Sequence, residues 1–157
     1  MTEAGDVVAA LRARGATVAV AESLTGGLLT AALTAPAGAS AAVRGGLVVY
    51  STDLKAVLAG VPTPLLDAHG PVSPDVAAAL AAGARDRLRA TYGLSLTGVA
   101  GPDPLGDTPV GTVFAGVAGP GGGQVRRLAL TGDRAVIRAA SVRAALDLLA
   151  ERLSDQR

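Results

Sequence analysis

The chain has 157 residues, half of them hydrophobic and 2% aromatic, with a formal net charge of +1. This length suits one domain with one hydrophobic core, so we expect a single domain over residues 1–157. Without cysteine, and with His69 as the one histidine, the chain has no disulfides, thiolate nucleophiles or paired-histidine metal sites. The near-zero charge and the scarcity of aromatic side chains for base stacking argue against a nucleic-acid partner.

No apolar stretch reaches the roughly 20 residues that a membrane-spanning helix needs. The first residues, Met1-Thr2-Glu3, lack the basic region that begins a signal peptide. We therefore expect a cytoplasmic protein with no membrane partner. His69 precedes Gly70-Pro71, which is typical of a turn, so we expect this side chain on the surface.

Hydrophobic periodicity and turn residues predict helices that alternate with strands. The predicted elements are a helix at 3–14, a strand at 17–21, helices at 26–35, 52–58, 64–68 and 74–91, a second strand at 47–51, a third at 94–99, a hairpin of strands at 110–117 and 124–130, and a final helix at 134–153. Ser73 and Asp133 are the predicted caps of the two long helices. This order implies an α/β fold: a three-layer α/β/α single domain with a mixed, mostly parallel sheet.

Lys55 is the one lysine among 14 Lys and Arg residues. Arginine stays protonated near neutral pH, whereas a lysine amine can lose its proton, so Lys55 is a candidate general base. We predict that it lies in the first turn of a helix capped by Thr52, where the helix dipole and partial burial lower its pKa. Asp53 would oppose that shift. The alternative is a lysine on a solvated face.

Ser23 follows a predicted buried strand and precedes a glycine-rich helix start. Unpaired backbone N–H groups at such a position suit a phosphate or the oxyanion of acyl transfer. Gly26 and Gly27 would let a substrate approach the backbone. With Lys55 as base and Tyr50 to pass a proton, Ser23 would complete an acyl-transfer set without histidine. The alternative is that Ser23 or Thr25 only caps the following helix.

A third loop carries glycines and hydroxyl groups between Thr97 and Thr112. Such a loop fits a wall that holds a sugar or a phosphate. An ordinary crossover loop is an equal alternative.

Six motifs together closely resemble the CinA C-terminal domain family: residues 21–27, residues 49–51 with Lys55, and residues 70–73, 97–103, 109–113 and 132–134. Stand-alone members of this family are PncC-type nicotinamide-nucleotide amidohydrolases. The resemblance implies hydrolysis of the carboxamide of nicotinamide mononucleotide to nicotinate mononucleotide and ammonia. It also implies that no metal or other cofactor takes part. The expected partners are the small nucleotide substrate and further copies of the chain, which would form a homo-oligomer.

The resemblance further implies that Ser23 is the nucleophile, Lys55 the base and Tyr50 a proton relay. Backbone N–H groups around Thr25 and Gly26 would stabilise the oxyanion. The residues that the resemblance assigns to substrate binding are Thr25, Gly26, Gly27, Arg44, Thr97, Gly98, Ala100, Gly101, Gly111, Thr112 and Arg134. Among them, Arg44 and Arg134 would hold the phosphate.

The sequence departs from the family pattern at Pro104-Leu105, where the family typically has two glycines. These side chains would reshape the substrate loop, which keeps a different small amide open as substrate. Leu24 and Thr52 replace the cysteine and the asparagine that the family usually has at these two positions. A nucleotide-binding module without catalysis is the second alternative, against which the retention of Ser23, Tyr50 and Lys55 argues.

Overall fold

A computed structural model describes residues 2–156. The predicted domain also includes Met1 and Arg157, which lie outside the described residues. Met1 also belongs to the first residues that are predicted not to begin a signal peptide. The secondary-structure elements, in chain order, are α1 (Ala4–Ala13), β1 (Val18–Glu22), α2 (Leu28–Thr34), a 3₁₀ turn (Ala39–Ala41), β2 (Val43–Val48), α3 (Thr52–Val57), α4 (Thr63–His69), α5 (Pro74–Arg87), β3 (Tyr92–Gly98), β4 (Thr112–Gly119), β5 (Gly122–Ala129) and α6 (Arg134–Ser154). This order of helices and strands is the one that the sequence predicts. No helix within residues 2–156 is long and apolar enough to cross a membrane.

The five strands form one sheet in the order β2-β1-β3-β4-β5. β1 pairs in parallel with both β2 and β3, while β4 pairs antiparallel with β3 and β5. Four of these strands therefore share a direction and β4 opposes them, which confirms the predicted mixed, mostly parallel sheet. The hairpin β4–β5 supplies the antiparallel element.

Helices cover both faces of the sheet. β1 is buried along its whole length, and its side chains alternate between two hydrophobic clusters. Val18 and Val20 belong to the cluster under α1, α2 and α6, whereas Ala19 and Ala21 belong to the cluster under α5. A strand buried on both faces is typical of a sheet between two helical layers. The predicted three-layer α/β/α architecture is confirmed.

The predicted position of β2, 47–51, is wrong, because the strand runs from Val43 to Val48. β2 is an edge strand whose residues alternate between half-buried and exposed, so it lacks the apolar run by which buried strands are recognised. Gly46 also hides the pattern. A Cβ at this glycine would lie 2.0 Å from Oγ1 of Thr30, so α2 packs where a side chain would stand.

The ends of the two long helices show which local signals are reliable. Ser73 caps α5 by accepting the amide of Val76, and Asp133 caps α6 by accepting that of Val136, as predicted. α5 ends at Arg87 rather than at 91, because Arg89 adopts a left-handed conformation with φ of 53° that turns the chain toward β3. His69 ends α4 on the surface.

Candidate active site

The carboxyl ends of β2, β1 and β3 meet at one edge of the sheet because these neighbouring strands are parallel. The residues that follow or end these strands line a pocket of about 230 Å³. Its lining consists of Ser23, Leu24, Tyr50, Thr52, Lys55, Pro71, Val72, Thr97, Gly98, Ala100, Leu105 and Arg134. The edge where parallel strands end is the usual place for a site in an open α/β sheet.

Ser23 and Lys55 meet inside this pocket. Lys55 is 1% exposed, and its Nζ lies 3.3 Å from Oγ of Ser23. The amine also donates to the carbonyl oxygens of Val49 at 2.8 Å and Tyr50 at 3.4 Å. A neutral amine has two N–H groups and one lone pair, so the two carbonyls accept both hydrogens. The lone pair is then left for the hydroxyl proton of Ser23.

Burial lowers the pKa of Lys55 from 10.5 to about 8, and the negative charge of Asp53 partly opposes this shift. The predicted cap of α3 is wrong, since Thr52 is the first residue of the helix and Ser51, which makes no side-chain hydrogen bond there, occupies the N-cap position. Lys55 accordingly belongs to the second half of this six-residue helix. Desolvation of the buried amine is the largest cause of the lowered pKa.

Glu22, which the sequence analysis missed, holds the start of α2. Its fully buried carboxylate accepts the amides of Leu29 at 3.1 Å and Thr30 at 2.9 Å. The hydroxyl of Thr25 donates to the same carboxylate at 2.6 Å. The N-cap position itself is Gly27, without a side-chain hydrogen bond. The alternative that Ser23 or Thr25 caps this helix is therefore wrong, and the hydroxyl of Ser23 faces Lys55 instead.

The backbone amides around Ser23 differ in whether they have partners. Gly26 donates its N–H to the carbonyl of Ser23 at 3.0 Å, and Ser23 donates its own to Leu96 at 3.0 Å. Within residues 2–156, the amides of Leu24 and Thr25 have no acceptor. Of the amides around Thr25 and Gly26 that are predicted as oxyanion donors, that of Thr25 has no acceptor among these residues, and the neighbouring amide of Leu24 shares this property. Gly26 is engaged in the turn.

Tyr50 and Arg134 form the rim of the pocket. Tyr50 is 62% exposed, and its hydroxyl accepts a hydrogen bond from Nη2 of Arg134 at 3.4 Å. Nη1 of Arg134 donates to the carbonyl of Gly101 at 2.6 Å. Tyr50 meets Lys55 through its backbone carbonyl, so its hydroxyl is at the solvent side of the site.

The end of β3 and the start of the loop that follows it line the pocket, and Leu105 lines it further along this loop. Thr97, Gly98 and Ala100 line the pocket, although the hydroxyl of Thr97 donates to the carbonyl of Pro71 at 2.7 Å. Gly111 lies outside the lining and has a packing reason for its identity. Its φ is +89°, and a Cβ there would lie 1.9 Å from the carbonyl oxygen of Leu130.

Arg44 is far from the other predicted residues along the sheet. Its neighbour Val43 pairs with Val18 at the beginning of β1, whereas Ser23 follows the end of β1. Nε of Arg44 donates to the carbonyl of Leu88 at 2.9 Å. The predicted substrate-binding residues outside the pocket lining are Thr25, Gly26, Gly27, Arg44, Gly101, Gly111 and Thr112. Of these, Gly101 touches the site through Arg134.

Leu105, at the departure from the family pattern, lines the pocket. Reciprocal backbone hydrogen bonds between Leu105 and Thr108, at 3.1 and 2.9 Å, close a tight turn that holds it there. Among residues 2–156, no cluster of three or more His, Asp or Glu side chains is arranged to hold a metal ion.

The family model of the CinA C-terminal domain matches residues 2–153. A CinA-like protein of Frankia casuarinae is 55% identical over 150 residues, which cover 96% of this chain and 35% of that protein. The chain thus spans about a third of the length of the curated relatives it matches.

Solved structures agree with these matches. The competence/damage inducible protein CihA of Agrobacterium tumefaciens superposes with a TM-score of 0.91 and 37% identity, covering 96% of this chain and 93% of that one. A CinA superfamily protein of Klebsiella pneumoniae superposes with a TM-score of 0.93 and 33% identity, covering 97% and 96%. This chain belongs to the CinA C-terminal domain family.

Proposed function

We propose that the protein is an amidohydrolase that converts nicotinamide mononucleotide to nicotinate mononucleotide and ammonia. The observation that carries this proposal is the buried Lys55 amine, 3.3 Å from the hydroxyl of Ser23 in a pocket at the sheet edge. A lysine with a pKa of about 8 is partly neutral near neutral pH, and a neutral amine beside a hydroxyl activates it as a nucleophile.

The reaction would proceed through an acyl-enzyme. The neutral amine of Lys55 takes the proton of Ser23, whose oxygen attacks the amide carbon. The C–N bond then breaks, and ammonia leaves with the proton that Lys55 returns. Water attacks the resulting ester with Lys55 again as base, which frees Ser23 and the carboxylate of nicotinate mononucleotide. During both attacks, the amides of Leu24 and Thr25 would stabilise the oxyanion.

The size of the pocket bears on how the substrate would lie. Its volume of about 230 Å³ is below the roughly 300–1,000 Å³ of common ligand pockets. The pocket therefore suits the pyridine carboxamide, with the ribose and phosphate toward the rim. There the guanidinium of Arg134 would bind the phosphate. Tyr50 stays the predicted proton relay between the amine of Lys55 and the bound substrate. Self-association into a homo-oligomer stays a prediction.

Leu105 favours a second candidate, the hydrolysis of a different small amide. Its side chain lines the pocket where the family typically has glycine, and it narrows the space beside the substrate. A smaller carboxamide would use the same Ser23 and Lys55 without filling the rim.

The test is a comparison of amides incubated with the purified protein. Ammonia and the matching acid are quantified for nicotinamide mononucleotide, nicotinamide riboside and nicotinamide. The proposal expects release from the mononucleotide, with kcat/KM falling when the phosphate is absent. Release from the smaller amides alone would favour the second candidate. Calorimetric binding of the mononucleotide without release of ammonia would identify a binding module instead.

A further inference from the structure

Arg138 holds the backbone of the turn that carries the nucleophile. It lies half-buried on α6, and its Nε donates to the carbonyl of Leu24 at 3.0 Å. Its Nη2 donates to the carbonyl of Thr25 at 3.4 Å. The two carbonyls that follow Ser23 are thus turned toward a single cation. Arg138 is outside the pocket lining, so it acts on the site through this turn.

The direction of the Leu24 carbonyl fixes the direction of the next amide. In a planar trans peptide, the C=O of Leu24 and the N–H of Thr25 belong to the same unit and point to opposite sides. Because the C=O is held against Arg138, the N–H of Thr25 points away from the guanidinium of Arg138. That N–H has no acceptor within residues 2–156. The positive charge at the oxygen also polarises this peptide, which makes its N–H a stronger donor.

Two further hydrogen bonds hold the turn after Ser23 in this conformation. The amide of Gly26 donates to the carbonyl of Ser23 at 3.0 Å, which closes the turn. On its other side, the hydroxyl of Thr25 donates to the buried carboxylate of Glu22 at 2.6 Å. Arg138 is close above this turn, since a Cβ on Gly26 would lie 3.4 Å from Nη2.

We propose that Arg138 is a positioning residue that fixes the Leu24–Thr25 peptide so that the amide of Thr25 faces the oxyanion formed when Ser23 attacks. This inference rests on the proposed acyl-transfer function. An oxyanion donor is effective only when it is already aimed at the developing charge, since any reorientation during the reaction would cost part of the stabilisation.

The test compares Arg138→Met and Arg138→Lys with Arg143→Met in steady-state ammonia release. Arg143 lies on the same helix, is exposed, and makes no hydrogen bond within the described residues, so it controls for loss of a charge. Loss of one oxyanion donor lowers kcat by about 10²–10³. We expect Arg138→Met to lose about 10- to 100-fold in kcat with KM within about twofold, since the donor remains but is misdirected. Arg138→Lys should lie between it and the wild type.

An unchanged kcat in a folded Arg138→Met variant would overturn the inference. A raised KM with unchanged kcat would also overturn it, because that result describes a substrate contact. If the wild type releases no ammonia, the proposed function fails, and the amide resonance of Thr25 decides the positioning role separately. A changed shift and faster hydrogen exchange of Thr25 in Arg138→Met, absent in Arg143→Met, would support the clamp, and an unchanged resonance would refute it.

Discussion

Lys55 Nζ lies 3.3 Å from Ser23 Oγ although 32 residues separate them in the chain. The contact arises because β1 and β2 are parallel neighbours, so the segments that leave their ends lie side by side. Ser23 follows β1 directly, and Lys55 reaches back from α3 to the carbonyls just beyond β2. A buried amine with two carbonyl acceptors and one hydroxyl is therefore a product of the sheet's topology.

Lys55→Arg should abolish turnover. A guanidinium stays protonated in this pocket and cannot accept the proton of Ser23. Because general-base catalysis contributes about 10²–10⁴-fold, we expect ammonia release to fall by at least about 10²-fold. Arg143→Lys, a conservative exchange on the surface of α6, is the matched control. A Lys55→Arg variant within tenfold of the wild type would remove lysine from the base role.

The pH profile should report the pKa of Lys55. Protonation removes the lone pair, so kcat/KM should rise with pH and level off above about 8. The negative charge of Asp53 raises this pKa, so Asp53→Asn should move the midpoint to lower pH and increase activity at pH 7. Asp67→Asn, with the same charge change on α4, should leave the midpoint in place. A flat profile between pH 6 and 9 would contradict this assignment.

Glu22→Gln should destabilise the fold. The buried carboxylate accepts hydrogen bonds from two amides and from the hydroxyls of Thr25 and Thr30. Glutamine replaces one carboxylate oxygen by an NH₂ group, which donates and cannot accept. At least one backbone amide would then lose its acceptor, which would lower the free energy of unfolding by about 2–4 kcal/mol. Urea unfolding measures the loss, with the exposed Glu3→Gln as control. A loss no larger than that of Glu3→Gln would show that the carboxylate does not hold α2.

Tyr50→Phe should show whether a hydroxyl at the rim of the pocket contributes to catalysis. The hydroxyl of Tyr50 is exposed and bonded to Arg134, so its removal should leave the unfolding free energy unchanged. As a proton relay, it should contribute about 10²-fold or more to kcat. Tyr92→Phe, which removes the other tyrosine hydroxyl, should retain full activity. Wild-type kcat in Tyr50→Phe would exclude the relay and leave Tyr50 as a pocket wall.

Local signals predicted much of the fold and part of the site. Buried runs such as β1, the caps Ser73 and Asp133, and the segments around Ser23 and Lys55 depend on residues close in sequence. Such features can be predicted from the sequence because the local preference agrees with the global fold at these positions. The parallel order of β1, β2 and β3 then places their ends at one edge.

Other features depend on packing between distant segments. The edge strand β2 has Gly46 where Thr30 of α2 packs, so its sequence lacks the periodicity of a strand. Arg44 matched a family position, yet the register of β2 puts it at the far end of the sheet. In the sequence, nothing distinguishes Glu22 and Arg138 from other charged residues, because the atoms that they contact are adjacent to them only in the folded chain. In the sequence, Glu22 directly precedes Ser23, and Arg138 follows Arg134 by four residues. This proximity to predicted site residues was the available signal, and it does not by itself assign a role to Glu22 or Arg138.

The most direct test of the account is ammonia release from nicotinamide mononucleotide by the wild type and by Ser23→Ala, both checked for folding and for binding of the mononucleotide. We expect steady release by the wild type. In Ser23→Ala we expect release at least about 10³-fold slower with binding retained, since only the nucleophile is removed. A Ser23→Ala variant that releases ammonia at the wild-type rate would contradict the acyl-enzyme route, and with it the role of Lys55 beside Ser23.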